Sequence, residues 1–134
     1  QFDLPDLLDS GKRVTAEQFA GKPWLLNVWG TWCAECWKEH AYLLSLASKG
    51  IPIVGINWRD EDAEAINFIR QKGNPFIAIG ADPKSDAVID LGVYGAPETF
   101  LIDAEGIIRE KHKGALIPPV WDQKFASYFA AGSQ

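Results

Sequence analysis

Methionine is absent from the 134-residue sequence. A translated chain starts with one, so the expectation is that Gln1 is not the native start and that a signal peptide, a membrane anchor or a trimmed tail preceded it. Cysteine and histidine are scarce, with two of each. A closed tetrahedral zinc site built on both cysteines would also need both His40 and His112, which makes zinc a weak alternative. No apolar run approaches the roughly eighteen residues of a membrane span. Basic residues are outnumbered, 13 against 18 acidic, and a net charge of −5 argues against a broad nucleic-acid surface. There are no repeats, low-complexity tracts or interdomain linkers. With 47% hydrophobic residues the chain can bury the core of one domain spanning residues 1–134.

What is present centres on Cys33 and Cys36, in Thr31-Trp32-Cys33-Ala34-Glu35-Cys36, between an apolar run and a helical segment. A Cys-x-x-Cys at a strand-to-helix junction puts the first sulfur at the helix N-terminus, where unpaired N–H groups and the macrodipole favour a thiolate. Cys33 is then the nucleophile. Cys36, one turn on, can close a disulfide with it, and the pair can cycle between dithiol and disulfide without another cofactor. A purely structural disulfide is a poorer reading, because so small a loop gains least from closure.

The flanking pattern is α/β. Phe2–Leu8, a turn at Asp9-Ser10-Gly11-Lys12 and an extended piece at Val14 predict a small N-terminal hairpin or meander. Trp24–Trp29 reads as a central strand buried on both faces, interrupted by Asn27. A helix from about Ala34 to Lys49 sets Cys36, His40, Leu43, Leu44 and Ala47 on one face, with His40 a core or near-core histidine. A strand over Ile51–Asn57 completes a parallel unit, with the cysteines at a carboxyl strand end. Further elements are a helix over Glu61–Lys72, a strand over Phe76–Ile79, a helix over Ser85–Leu91, a hairpin of Thr99–Asp103 with Ile107–Lys113, and a last helix over Pro119–Ala130.

This order resembles the thioredoxin fold: a central mixed sheet flanked by helices, with an N-terminal β extension and a central insertion. The run Leu26-Asn27-Val28-Trp29-Gly30-Thr31-Trp32-Cys33, the Glu39-His40 pair and Gly92-Val93-Tyr94-Gly95-Ala96-Pro97-Glu98-Thr99-Phe100-Leu101-Ile102-Asp103 are similar to the CcmG/DsbE family. The resemblance implies a periplasmic thiol:disulfide oxidoreductase, tethered to the inner membrane by an N-terminal anchor not in this chain. It would reduce apocytochrome c cysteines, or those of a partner, during cytochrome c maturation. It also implies a membrane electron donor of the DsbD/CcdA type and a monomer.

Two departures from the wider thioredoxin pattern stand out. Asn27 occupies the place of a buried aspartate, so another group must serve as the acid, and Ala41 replaces a helix-kinking proline, which predicts a straighter helix. Glu39, three residues after Cys36, matches a glutamate beside related active sites and is the candidate proton acceptor; a surface role is the alternative. Pro97, after Ala96, matches a cis-proline opposite the cysteines, leaving the Ala96 backbone free to pair with an extended substrate. Trp32 is expected to shield the disulfide and form the docking surface, whereas Trp24, Trp29 and Phe100 are expected in the core. Glu98 and Thr99 either border the same groove, where acidity would select basic partners, or cap a turn. Glu35 either opposes charge on Cys33, tuning the pair toward reduction, or is a solvated first-turn glutamate.

Three activities compete on this sequence: a specific reductase of apocytochrome cysteines, a general thioredoxin-like reductase, and a thiol-dependent holding chaperone without turnover. A peroxidase is disfavoured, since a strand-to-helix cysteine pair with a following cis-proline motif serves disulfide exchange.

Overall fold

The computed structural model describes residues 2–132. In the N-terminal lead, β1 (Asp3–Pro5) pairs antiparallel with β2 (Arg13–Thr15), opposing the buried Leu4 and Val14. Asp6 closes the intervening turn by accepting the N–H groups of Leu8 and Asp9 at 2.8 and 3.1 Å. This is the expected hairpin.

Two strands without an exposed residue form the centre, β3 (Trp24–Trp29) and β4 (Ile53–Trp58). They run parallel, as the strand–helix–strand pattern requires, with β5 (Ala78–Asp82) parallel beyond β4. On the other side of β3 lie β6 (Glu98–Ile102) and β7 (Ile108–Lys113), each antiparallel to its neighbour, giving the order β5-β4-β3-β6-β7. The sheet is mixed, as expected. The side chains of β3 alternate between two cores. Leu25 and Trp29 join Cys33, Cys36, Leu43, Leu46, Phe68 and Phe125 on one face, and Trp24, Leu26 and Val28 join Val54, Ile56, Phe100 and Leu4 on the other.

Helix α1 (Ala34–Ser48) continues unbroken through Ala41, where proline would have removed a backbone donor. Its buried stripe is Cys36, Glu39, His40, Leu43 and Leu46. That corrects the expected face: Leu46 replaces Leu44 and Ala47, which are only half-buried, and Glu39 lies within it. Helix α2 (Asp62–Lys72) carries Asp62 and Glu64 in its first turn and Arg70 and Lys72 in its last, matching the helix dipole.

The strand expected over Phe76–Ile79 runs instead through Gly80 to Asp82. Gly80 does not end it; the glycine admits Leu4, whose Cδ1 would lie 3.0 Å from a Cβ at that position. Leu7 N–H donates to the Ile79 carbonyl at 2.8 Å, so the N-terminal lead covers the β5 edge. Short α3 (Asp86–Asp90) has its first-turn N–H groups capped by the buried Asp82. The last helix is not uniform. It comprises α4 (Pro118–Val120), a π-helical stretch over Trp121–Phe125 and α5 (Ala126–Gly132).

Candidate active site

Beyond β3 the chain turns through Gly30, Thr31 and Trp32. A Cβ on Gly30 would collide with the Trp32 indole, so the glycine is the seat of that ring. Trp32 is half exposed. It donates its indole N–H to the Trp58 carbonyl at 2.9 Å and meets the Trp58 ring edge-on, with centroids 5.6 Å apart. Trp37, on the first turns of α1, donates its indole N–H to the Thr31 carbonyl at 2.8 Å. The loop ahead of the cysteines is thus tied to both neighbouring elements.

Cys33 is the N-cap of α1, and its Sγ accepts the N–H of Cys36 at 3.1 Å. The two are joined in a disulfide, with Cα atoms 5.3 Å apart and both residues 5% exposed. The sulfur at the helix start therefore already faces a backbone donor and the positive end of the dipole, both of which stabilise a thiolate after reduction.

Glu39 is 2% exposed, which excludes the surface role. One carboxylate oxygen accepts from Asn27 Nδ2 at 2.9 Å and the other from the Leu116 N–H at 2.8 Å. Burial, the largest influence, pushes this carboxyl up to about 7; the Leu116 and Asn27 hydrogen bonds pull down, and Glu35 adds a small upward push. Asn27 does more than lack an acid. Its Nδ2 also donates to Thr99 Oγ1 at 3.1 Å, so it holds the carboxylate that α1 supplies where the strand has none. His40 is a satisfied near-core residue, with Nε2–H donating to the Gly73 carbonyl at 2.9 Å and the ring edge-on to Phe68. Its pKa is lowered, chiefly by burial.

The Ala96–Pro97 peptide bond is cis. Since Val28 pairs with Glu98, the register sets Ala96 and Pro97 beside the end of β3, and Ala96 packs against the core cluster that contains both cysteines. Among the described residues the Ala96 N–H and carbonyl have no hydrogen-bond partner. Two expectations for this segment need correction. Glu98 and Thr99 are 3% and 0% exposed, so neither borders an open groove and neither caps a turn. Thr99 belongs to the Asn27–Glu39 network, and Glu98 lies 3.8 Å from Lys111 Nζ. As successive residues of β6 they point to opposite faces of the sheet, and both faces of this strand are buried.

Glu35 is exposed and paired with Lys38 at 2.9 Å, which offsets its field at Cys33. Trp24, Trp29 and Phe100 are in the core, at 3% exposure or less. Sequence reasoning missed the highly exposed Tyr94 near Pro97 and the carboxylate of Asp60. The only hint of the latter was a polar Asn57-Trp58-Arg59-Asp60 strand end. No cluster of three or more metal-ligating side chains occurs among the described residues.

The redoxin family model matches residues 1–130. A thiol:disulfide interchange protein DsbE of Pseudomonas aeruginosa is 45% identical over 128 residues, covering 96% of this chain and 71% of that protein. One from Pasteurella multocida is 52% identical over 122 residues, covering 90% and 67%. A crystal structure of a DsbF homologue from Corynebacterium diphtheriae matches with a TM-score of 0.81 at 23% identity, covering 94% of this chain and 83% of that one; this likeness concerns the fold alone.

Proposed function

The chain belongs to the redoxin family and, within it, to the DsbE thiol:disulfide interchange proteins; it is a thiol:disulfide oxidoreductase, and we propose that it reduces the Cys-x-x-Cys-His cysteines of apocytochrome c, or a partner's disulfide, during cytochrome c biogenesis. The observation that carries the exchange chemistry is the disulfide with Cys33 as helix N-cap, its sulfur facing the Cys36 N–H. Kinship to DsbE proteins supports the choice of substrate. The same kinship supports a periplasmic setting, an inner-membrane anchor outside this chain and a membrane donor of the DsbD/CcdA type. No helix among the described residues is long and apolar enough to cross a membrane. In this reading residues 1–134 act as one domain and as a monomer.

In the reductive direction the Cys33 thiolate attacks the substrate disulfide. A bond forms between Cys33 Sγ and one substrate sulfur, and the other substrate sulfur leaves with the electron pair and takes a proton from solvent. Cys36 then gives its proton to Glu39 and attacks Cys33 Sγ; the Cys33–Cys36 bond forms, the Cys33–substrate bond breaks, and the second substrate sulfur leaves with that electron pair and takes a proton from solvent. A carboxyl poised at about 7 suits that transfer, because it is partly ionised at neutral pH and closer in basicity to a thiol than an ordinary glutamate. Trp32 and the free Ala96 backbone beside Pro97 form the docking template, on which an extended segment can pair with the main chain. Glu35 tunes the potential only as far as its pairing with Lys38 allows.

The test is turnover of an oxidised Cys-x-x-Cys-His peptide with a thiol regenerating system. Cys36→Ser is expected to trap a mixed disulfide through Cys33, and Cys33→Ser to trap none. Stoichiometric binding without turnover identifies a holding chaperone, and equal rates on generic disulfides identify a general reductase.

A further inference from the structure

The loop that carries Cys33 is held by a carboxylate that the exchange chemistry does not consume. Asp60 stands two residues past the end of β4, and both of its oxygens are fully engaged. Oδ2 accepts the Thr31 N–H at 2.7 Å and Asn57 Nδ2 at 3.0 Å; Oδ1 accepts the Thr31 hydroxyl at 2.8 Å and the Glu61 N–H at 3.0 Å. Four donors on one side chain join the end of β4, the start of α2 and the residue two before Cys33. The chain reaches this geometry through strained backbone, since Arg59 has φ of 51°, a region that non-glycine residues seldom enter. The Arg59 guanidinium lies over the Trp58 ring at 5.6 Å, and the Trp58 carbonyl is the one that receives the Trp32 indole. Strain of this kind persists where surrounding contacts over-determine it, and it gathers at functional sites.

We propose that Asp60 is a positioning residue for the attacking sulfur: it fixes Thr31, and through Thr31 the line along which Cys33 Sγ meets a substrate disulfide. In the oxidised state the bond to Cys36 also restrains Cys33. Reduction removes that bond, and the approach to Cys33 is then held by the Asp60 clamp on Thr31 together with the Trp32 and Trp37 indole bonds. Loss of the clamp is therefore felt most when the reduced protein acts as nucleophile, the step in which the Cys33–substrate bond forms and the substrate S–S bond breaks. An asparagine at position 60 offers one acceptor oxygen to four donors and turns its NH2 toward two of them, so half of the clamp is lost without a change of shape.

The inference rests on Cys33 being the attacking sulfur, and the experiment separates the two claims. Reduced wild type, Asp60→Asn, Thr31→Val and Cys33→Ser are reacted with oxidised glutathione at about pH 9.5, above the ordinary thiol range. Each is also alkylated with iodoacetamide, a small reagent that needs no fixed approach. Since a misplacement of about 1 Å can cost on the order of 100-fold, Asp60→Asn is expected to slow exchange about tenfold while alkylation stays within about twofold. Thr31→Val keeps the N–H bond and is expected to fall between, at about threefold. It carries the test if Asp60→Asn fails to give a cooperative urea transition. Exchange at the wild-type rate in the variants overturns the proposal, as does an equal fall in exchange and alkylation. Exchange that persists in Cys33→Ser overturns the assignment of the attacking sulfur instead.

Discussion

Protonated, Glu39 satisfies its buried position with little charge to solvate; ionised, it must hold a full charge with two hydrogen bonds and almost no water. Its folded pKa of about 7 lies above the ordinary 4.5, so its stabilising contribution is complete below about pH 4.5 and is lost as pH rises through 7. At about 1.4 kcal/mol per unit, the oxidised protein should lose up to about 3 kcal/mol between pH 4.5 and 8 on this account, and Glu39→Gln should remove that slope. Urea unfolding across this range measures it, and an equal decline in the variant would assign the slope to other groups. Under the proposed proton transfer from Cys36 to Glu39, the same substitution should also displace the pH profile of the disulfide-exchange rate, and an unchanged profile between about pH 5 and 9 would remove that role from Glu39. The burial of Glu39 was half legible in the sequence. It falls at i+3 from Cys36, on the stripe continued by His40, Leu43 and Leu46, but a carboxylate on such a stripe reads as a flank because apolar spacing cannot reveal a partner such as Asn27 or the Leu116 N–H.

At the level of elements, the existence and order of strands and helices were legible because β3 and β4 are apolar runs, each broken by a single asparagine, and α1 and α2 have helical spacing with glycine stops. The errors come from contacts between distant segments. Gly80 looks like a strand end until Leu4 is seen packed on it, and the π-helical stretch at Trp121–Phe125 leaves no trace in a 3.6-residue period. Gly30 is a different case: the apolar pattern of β3 does not demand a glycine at its end, and the reason is the ring of Trp32, two residues on, folded over it. Gly30→Ala should therefore expel the indole from its contact with Trp58. The overpacking is expected to cost about 1–3 kcal/mol, to change the tryptophan emission and to quicken alkylation of Cys33 in the reduced protein. Unaltered emission and alkylation would show that Trp32 is not seated by the glycine.

For the molecule as a whole, the question is how a chain with net charge −5 selects a partner. A rim of exposed carboxylates would favour cysteines flanked by histidine or lysine, and salt would weaken that preference. The structure removes the rim: Glu98 and Glu39 are buried, Glu35 is paired with Lys38, and the large exposed side chains of this end include Trp32, Trp37 and Tyr94. Buried carboxylates are poorly screened by salt, and aromatic contacts hardly respond to it. Any advantage of an oxidised Cys-x-x-Cys-His peptide over a control disulfide of the same net charge should therefore persist, within about twofold, between about 0.05 and 0.5 M salt, a range over which the Debye length falls to a few ångströms. Both association rates are expected to shift modestly and together, since net charge acts on encounter with any charged peptide. The ratio of kcat/KM values at the two salt concentrations decides the matter. A ratio that collapses toward one at high salt would place selectivity in exposed charges, and a ratio that holds would place it in the aromatic docking surface beside Cys33.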